Sequence, residues 1–367
     1  MKMESIDRRS GPRHFAAALV CLAAIAAPPA LAGSGPAAHA PIGVMGDHTH
    51  EKGELMFSYR YMHMGMNGMR DEDERRSRNH VLNQFMVTPT KMDMRMHMFG
   101  AMYAPVDRVT LMVMVPYVEM DMEHRTRMGV EFTTRSEGIG DIRAGALIDL
   151  WSSGGGGGSH DGHEGHEAAS SAGTDTPRHK VHANVVFSFP SGAINRRVRT
   201  PASGGAKVRL PFPMQIGSGS YDFLPGLTYT GGQGQVAWGA QATGEIRLNE
   251  NHAQYRQGNE YALTAWGGYQ WNRWVSTSLR AEWRQALNYR GSDPAVGPMP
   301  TIPTKDPGRR AFQRLDVLAG VNLMVPEGLL AGIRFAIEAG VPAYQYLDGP
   351  GLETDWVATV GVQYALH

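Results

Sequence analysis

The chain has a single cysteine, Cys21, among its 367 residues. One thiol cannot close an intrachain disulfide or build a multi-cysteine zinc site, so disulfide scaffolds and thiolate metal folds drop out. Cys21 lies in an apolar stretch from Phe15 to Ala27 and follows Val20, where a lipoprotein signal needs a small residue. Downstream, no run of about 18 apolar residues occurs, which excludes a helical membrane span. An excess of one charge is missing too: 35 Lys and Arg balance 35 Asp and Glu, so composition gives no sign of a nucleic-acid partner.

What is present begins with an export signal. Arg8, Arg9 and Arg13 precede the apolar stretch and Ala30-Leu31-Ala32 follows it, so residues 1–32 read as a signal peptide. From residue 54 onward, segments alternate polar and apolar side chains. In Val275 to Asn288 the odd positions are mostly apolar, and the even positions other than Ala286 are Ser276, Ser278, Arg280, Glu282, Arg284 and Asn288. Long alternating segments behind an export signal predict an all-β fold, a transmembrane antiparallel β-barrel of about 12 strands. The expected strands are 54–66, 91–103, 109–123, 138–151, 180–189, 220–230, 235–248, 258–271, 274–288, 311–324, 328–340 and 354–367. Connections at 67–90, 124–137, 190–219, 289–310 and 341–353 are expected outside the cell, and the short turns in the periplasm. A Gly/His-rich loop at 152–179 and an N-terminal segment at 33–53 are also assigned to the periplasm. The location is the outer membrane of a Gram-negative bacterium, with outer-membrane lipid and the barrel-assembly machinery as partners.

A charge at the lipid midplane costs about 2–4 kcal/mol, so charged positions mark the interior. Arg60, Asp141, Arg143, Arg280, Glu282, Arg284, Arg334 and Glu338 are therefore expected in a polar lumen. Trp151, Trp271, Trp274, Tyr289 and Trp356 suit interfacial girdles.

Seventeen of the 22 methionines fall between Met45 and Met128. Thioether sulfur suits Cu(I) or Ag(I), imidazole suits Cu(II) or Zn(II), and residues two apart on a strand share a face. Met62, Met64 and Met66 share parity with Arg60, which points them to the lumen or rim. Met92, Met94, Met96 and Met98 oppose Lys91, Asp93, Arg95 and His97, which points them to lipid. Met120 and Met122 oppose Glu119, Asp121 and Glu123, which places them on lipid or the outer rim. Metal-ligand candidates are Met62, His63, Met64, Met66, His97 and His124 at the mouth, with His160, His163 and His166 as a periplasmic buffer. Asp47-His48-Thr49-His50-Glu51 repeats the histidine and carboxylate chemistry near the mature N-terminus. The competing readings are apolar packing for the methionines and a low-complexity linker for the histidine tracts.

Met96-His97-Met98-Phe99-Gly100-Ala101-Met102-Tyr103-Ala104-Pro105, Val109-Thr110-Leu111-Met112 and Glu137-Gly138-Ile139-Gly140-Asp141-Ile142 resemble the outer-membrane transporters of the phenol meta-pathway family, in its methionine-rich branch. The resemblance implies an outer-membrane barrel. Two functions follow as expectations: a channel for copper-group ions through Met/His sites, or uptake of small aromatic or hydrophobic compounds. No nucleophile signature suggests an enzyme and no cofactor is required; copper or silver ions would be loosely bound or transported species.

Overall fold

The computed structural model describes residues 35–153, 177–296, 301–328 and 332–366. The signal expected at 1–32 and the tract holding His160, His163 and His166 lie outside the described residues. The wall is built from β1 (Leu55–Glu72), β2 (Val87–Val106), β3 (Val109–Thr126), β4 (Glu131–Ile139), β5 (Ile142–Ser153), β6 (Arg178–Phe189), β7 (Asp222–Gln233), β8 (Val236–Arg247), β9 (Glu260–Gln270), β10 (Val275–Ala286), β11 (Phe312–Met324) and β12 (Ile333–Leu366). Neighbours pair antiparallel and β12 pairs back onto β1, so eleven strands close a ring. Two further strands of the same sheet stand outside it: β4 pairs only with the upper part of β3, and Glu74–Arg76 pairs with β1.

The last strand doubles back. Residues from Arg334 to Leu347 run against β11, and those from Leu347 to Leu366 run against β1, so β12 crosses the wall twice. The loop expected at 341–353 is strand instead. That expected at 124–137 is also mostly strand, because β3 continues to Thr126 and β4 starts at Glu131. Backbone groups in lipid need partners within the protein, and closure supplies them.

Alternation sorts side chains as the period requires. In β10, Ser276, Ser278 and Arg280 are buried while Leu279 is 65% exposed; Leu263, Phe57, Phe99 and Ile337 are likewise exposed. The buried side is the interior, because its residues meet across non-neighbouring strands. Arg143 of β5 reaches Glu245 of β8 at 3.2 Å, and Arg314 of β11 reaches Met64 of β1 at 3.7 Å. The outward apolar belt faces lipid. Asp107-Arg108 and Gly234-Gln235 make tight turns at one end, which by the general rule for bacterial barrels is periplasmic.

The sequence assigns residues 33–53 to the periplasm, but residues 35–53 run up into the lumen and back. Arg60 Nε donates to the Ile42 carbonyl at 3.0 Å, His182 Nε2 to that of Gly46 at 2.9 Å, and Gln241 Nε2 to that of Met45 at 2.9 Å. Arg334 Nη2 donates to the Ala40 carbonyl. Further on, Thr110 Oγ1 accepts from the His50 amide at 2.9 Å, and Thr49 donates to Asp149 at 2.8 Å. An irregular segment can be buried because inward-facing side chains satisfy its backbone. Nothing in its local sequence advertises those partners, which come from five or more strands far along the chain.

Candidate functional site

The lumen has two unlike walls. One, from β7 to β12, carries ion pairs. Arg280 makes a two-pronged bond to Glu338 at 2.8 and 2.9 Å, Arg247 meets Asp222 and Glu245 at 2.6 Å each, and Arg314 meets Asp316 at 2.9 Å. Arg143 and Glu282 join the same network through Glu245 and Arg280. The inward assignment of Arg143, Arg280, Glu282 and Glu338 from alternation therefore holds. Glu338 also accepts from the Gly43 amide at 3.1 Å, tying the plug to this wall. A side chain there would have to displace this pair: a β-carbon at position 43 would sit 2.3 Å from Glu338 Oε2 and 2.5 Å from Arg280 Nη2.

The other wall, from β1 to β3, is methionine. Cross-strand register sets Met66, Met92 and Met122 in one row, Met64, Met94 and Met120 in the next, and Met56, Met102 and Met112 lower down. Directly opposite residues share a sheet face, and Met92, Met98, Met120 and Met122 are buried. This corrects the assignment of Met92, Met94, Met96, Met98, Met120 and Met122 to lipid or the outer rim. Their partners by parity, Lys91, Asp93, Arg95, Glu119 and Asp121, form the outward face near the long-loop end. There Lys91 meets Asp93 at 2.9 Å, and Arg95 and Arg135 flank Asp121 at 2.5 and 2.8 Å. Charges can face outward there because β1 to β3 extend past the apolar belt. Alternation distinguishes two faces, and a rule derived at the midplane mislabels them beyond it. The lumen is thus mainly charged on one side and mainly methionine on the other, with Arg60 and Thr110 as polar groups within the methionine wall.

Metal-ligand candidates read from the sequence divide by face. Met62, Met64 and Met66 point inward, with Met62 opposite Met96. His63 points outward against Trp356, ring centroids 4.6 Å apart. His97 also faces outward and hydrogen-bonds Tyr59 through Nδ1 at 2.8 Å. Neither joins the sulfur rows. His124 is buried at the upper rim, stacked on Phe132 at 4.8 Å. Tyr289 is not a girdle residue, for it packs on Phe212 and Tyr255 within the outer loops.

Those loops reach inward. Leu210, Met214 and Ile216 pack against Met92, Val118, Met120 and Met122. A second apolar cluster, with Met56, Met98, Met102, Met112 and Met114, has Met45 of the plug against it, and Met96 touches both clusters. One apolar stripe therefore joins the outer loops to the plug. The loop is anchored at Asp141, whose carboxylate accepts from Gly192 N at 2.8 Å and from Ser218 N and Oγ at 2.7 and 2.8 Å. Asp141 sits in the interruption between β4 and β5. Above it, β4 has no second strand partner among the described residues, and Arg196 Nη2 donates across to the Glu137 carbonyl at 2.8 Å.

Inside the plug, His39, Asp47 and His48 bring one ligand atom each within 4.8 Å of one another. Burial, then the charges of Arg334 and His48, hold the His39 imidazole well below its usual range. Burial pushes Asp47 up, but His48 and Arg334 outweigh it and hold the carboxyl below the usual carboxylate range. His48 and His50 stand out in the sequence beside Asp47 and Glu51, whereas His39 is brought back beside Asp47 only by the fold of the plug.

Residues 205–306 match the family described as Putative MetA-pathway of phenol degradation. That region lies outside Met96–Ile142, where the resemblance is read from the sequence. In fold the chain is similar to an outer membrane channel from Pseudomonas putida F1, with 12% identity and a TM-score of 0.58 over 88% of this chain and 99% of that one. It also aligns with the β domain of the Bordetella autotransporter BrkA (9% identity, TM-score 0.40, 86% of this chain and 100% of that one). A third alignment is with the Ralstonia pickettii toluene transporter TbuX (9% identity, TM-score 0.34, 87% and 90%). No curated protein matches the chain in sequence. The protein is an outer-membrane β-barrel of a Gram-negative bacterium.

Proposed function

We propose that the protein is a passive outer-membrane channel for small aromatic compounds of the phenol class. The observation that carries this reading is the continuous methionine stripe facing a wall of guanidinium and carboxylate groups. A phenol has an apolar ring and one hydroxyl, and such a lumen offers a surface for each. Thioether contacts with an aromatic ring contribute about 0.3–1.5 kcal/mol apiece. Two or three would contribute at most about 3–4.5 kcal/mol, so a solute is held no more tightly than roughly millimolar, weak enough for release. The unpartnered edge of β4 beside the inward loop offers a sideways route for an apolar solute. The family matched over residues 205–306 supports the same substrate class.

Uptake of phenol by intact cells tests the reading. Met94→Asp sets a carboxylate between Met64 and Met120 and should slow uptake about tenfold, equivalent to roughly 1.4 kcal/mol in the passage barrier. Met94→Leu should retain it. If Met94→Asp reaches the outer membrane at normal levels and phenol enters at the unmodified rate, the stripe is not the path.

The sulfur rows also favour a second reading, capture of Cu(I) or Ag(I). Against it, Met64 Sδ lies 3.7 Å from the Arg314 guanidinium, an unfavourable neighbour for a cation. Changing Met62, Met64 and Met66 to leucine keeps apolar volume and removes sulfur. This reading expects the triple variant to lose Ag(I) binding while phenol uptake persists, and unaltered Ag(I) binding would eliminate it.

A further inference from the structure

The plug carries chemistry that passage of an aromatic solute does not use. We propose that His39, Asp47 and His48 form a site for a borderline divalent cation, Zn(II) or Cu(II), which ties the two arms of the plug together inside the lumen.

Three observations carry the site. The ligand atoms already converge: one nitrogen from each histidine and one carboxylate oxygen lie within 4.8 Å of one another. Bonds of about 2.0–2.1 Å to a tetrahedral ion need these atoms to close to about 3.4 Å, a movement within reach of side-chain rotation. The second observation is unmet hydrogen bonding. Among the described residues, His39 Nδ1, His48 Nε2 and the Nε2 of neighbouring His50 are buried without a hydrogen-bond partner, and buried polar atoms in native proteins are almost always paired. Asp47 accepts from the Ala40 amide at 3.2 Å and stands 3.0 Å from His48 Nδ1. A purely structural role for Asp47 accounts for those two contacts and leaves the other nitrogens unexplained. Third, the rings are arranged edge to face rather than stacked. The centroids of His39 and His48 are 5.0 Å apart at 85°, and those of His48 and His50 are 4.9 Å apart at 68°.

The donor set selects the ion. Two imidazoles and one carboxylate suit Zn(II) or Cu(II), whereas Ca(II) and Mg(II) need more oxygen ligands. Thioethers of the methionine wall prefer Cu(I), so Zn(II) distinguishes this site from that wall. His39 also lines a cleft of about 280 Å³ shared with Trp238, Trp266 and Gln270 at the short-turn end, which gives an ion from the periplasm a way in. Between His39 and Asp47 runs the loop whose carbonyls are held by Arg60, Arg334, His182 and Gln241. An ion joining the ends of that loop would stiffen the part of the plug that fills the lumen. The proposal is independent of what crosses the channel.

The test uses the full mature chain in detergent, with His160, His163 and His166 changed to alanine to silence the other histidine tract. Equilibrium dialysis against Zn(II) should give one bound ion per barrel. His39→Ala and His48→Ala should each weaken it by more than the roughly 10–100-fold that loss of a mere supporting group costs. Cu(II) loaded into the same protein should show coupling to at least two nitrogens by electron paramagnetic resonance, a readout that needs no ligand variant. Folded state is followed by electrophoretic mobility before and after heating. Absence of a bound Zn(II), or Zn(II) affinity unaltered in folded His39→Ala and His48→Ala variants, would overturn the proposal. Cu(II) spectra without nitrogen coupling would do the same.

Discussion

Glu338 is the residue on which the polar wall and the plug both depend, since its carboxylate takes Arg280 at 2.8 and 2.9 Å and the Gly43 amide at 3.1 Å. Both charged partners are almost completely buried, Glu338 at 1% and Arg280 at 4% side-chain exposure. Breaking a buried pair on one side costs about 3–5 kcal/mol, chiefly through the charge left behind. Glu338→Gln keeps the shape and removes the countercharge. The plug is held by a handful of hydrogen bonds worth about 0.5–1.5 kcal/mol each, so it should give way before the ring does. The expected result is a folded barrel with raised single-channel conductance in planar bilayers; conductance equal to the unmodified protein would show that the plug does not depend on this residue. The inward position of Glu338 was legible from parity with Arg334 against Ile333, Phe335 and Ile337. Its partner Gly43 was not, because a glycine that fits between two side chains has no sequence pattern of its own.

Alternation located the strands closely. β5, β6, β7, β8, β9, β10 and β11 begin and end within four residues of the segments read from the sequence, because each has one apolar and one polar face over its length. The reading failed at β2 and β3, where Met92, Met94, Met120 and Met122 fill the inside and charges stand outside. Both faces still alternate there, but the outer solvent is water rather than lipid. The connection at 190–219, expected outside the cell, also reaches inward. Leu210, Met214 and Ile216 do pack into the lumen, and the anchor is Asp141. Hydrogen bonds to a charged acceptor contribute about 1.5–3 kcal/mol apiece, and Asp141 accepts three. Asp141→Ala should therefore loosen the loop while leaving the ring intact. Trypsin should cut after Arg196, Arg197 and Arg199 at least about tenfold faster in the variant, scored by mass spectrometry of the fragments. Equal cleavage rates would mean that the apolar contacts of Met214 and Ile216 hold the loop alone.

For the molecule as a whole, the barrel and its plug are separable in principle. The ring is closed by backbone pairing from β1 round to β12, and none of those pairs includes residues 35–53. Two of the groups that grip the plug also have partners in the wall: Glu338 keeps Arg280, and Arg334 keeps Asn322 and Gln363. Deleting residues 35–50 should therefore leave a barrel that assembles and shows the heat-dependent mobility of a folded one. Water would enter the periplasmic half of the lumen and solvate the charges that the plug now covers. Conductance should rise severalfold, and small hydrophilic solutes should leak faster than through the full chain. Phenol uptake should rise less than hydrophilic leakage, because the methionine rows from Met66 to Met122 lie above the plug and would still shape the upper path. A deletion protein that assembles yet conducts as little as the full chain would place the barrier in the 190–221 loop. The combination of that deletion with Asp141→Ala would then be the variant that opens.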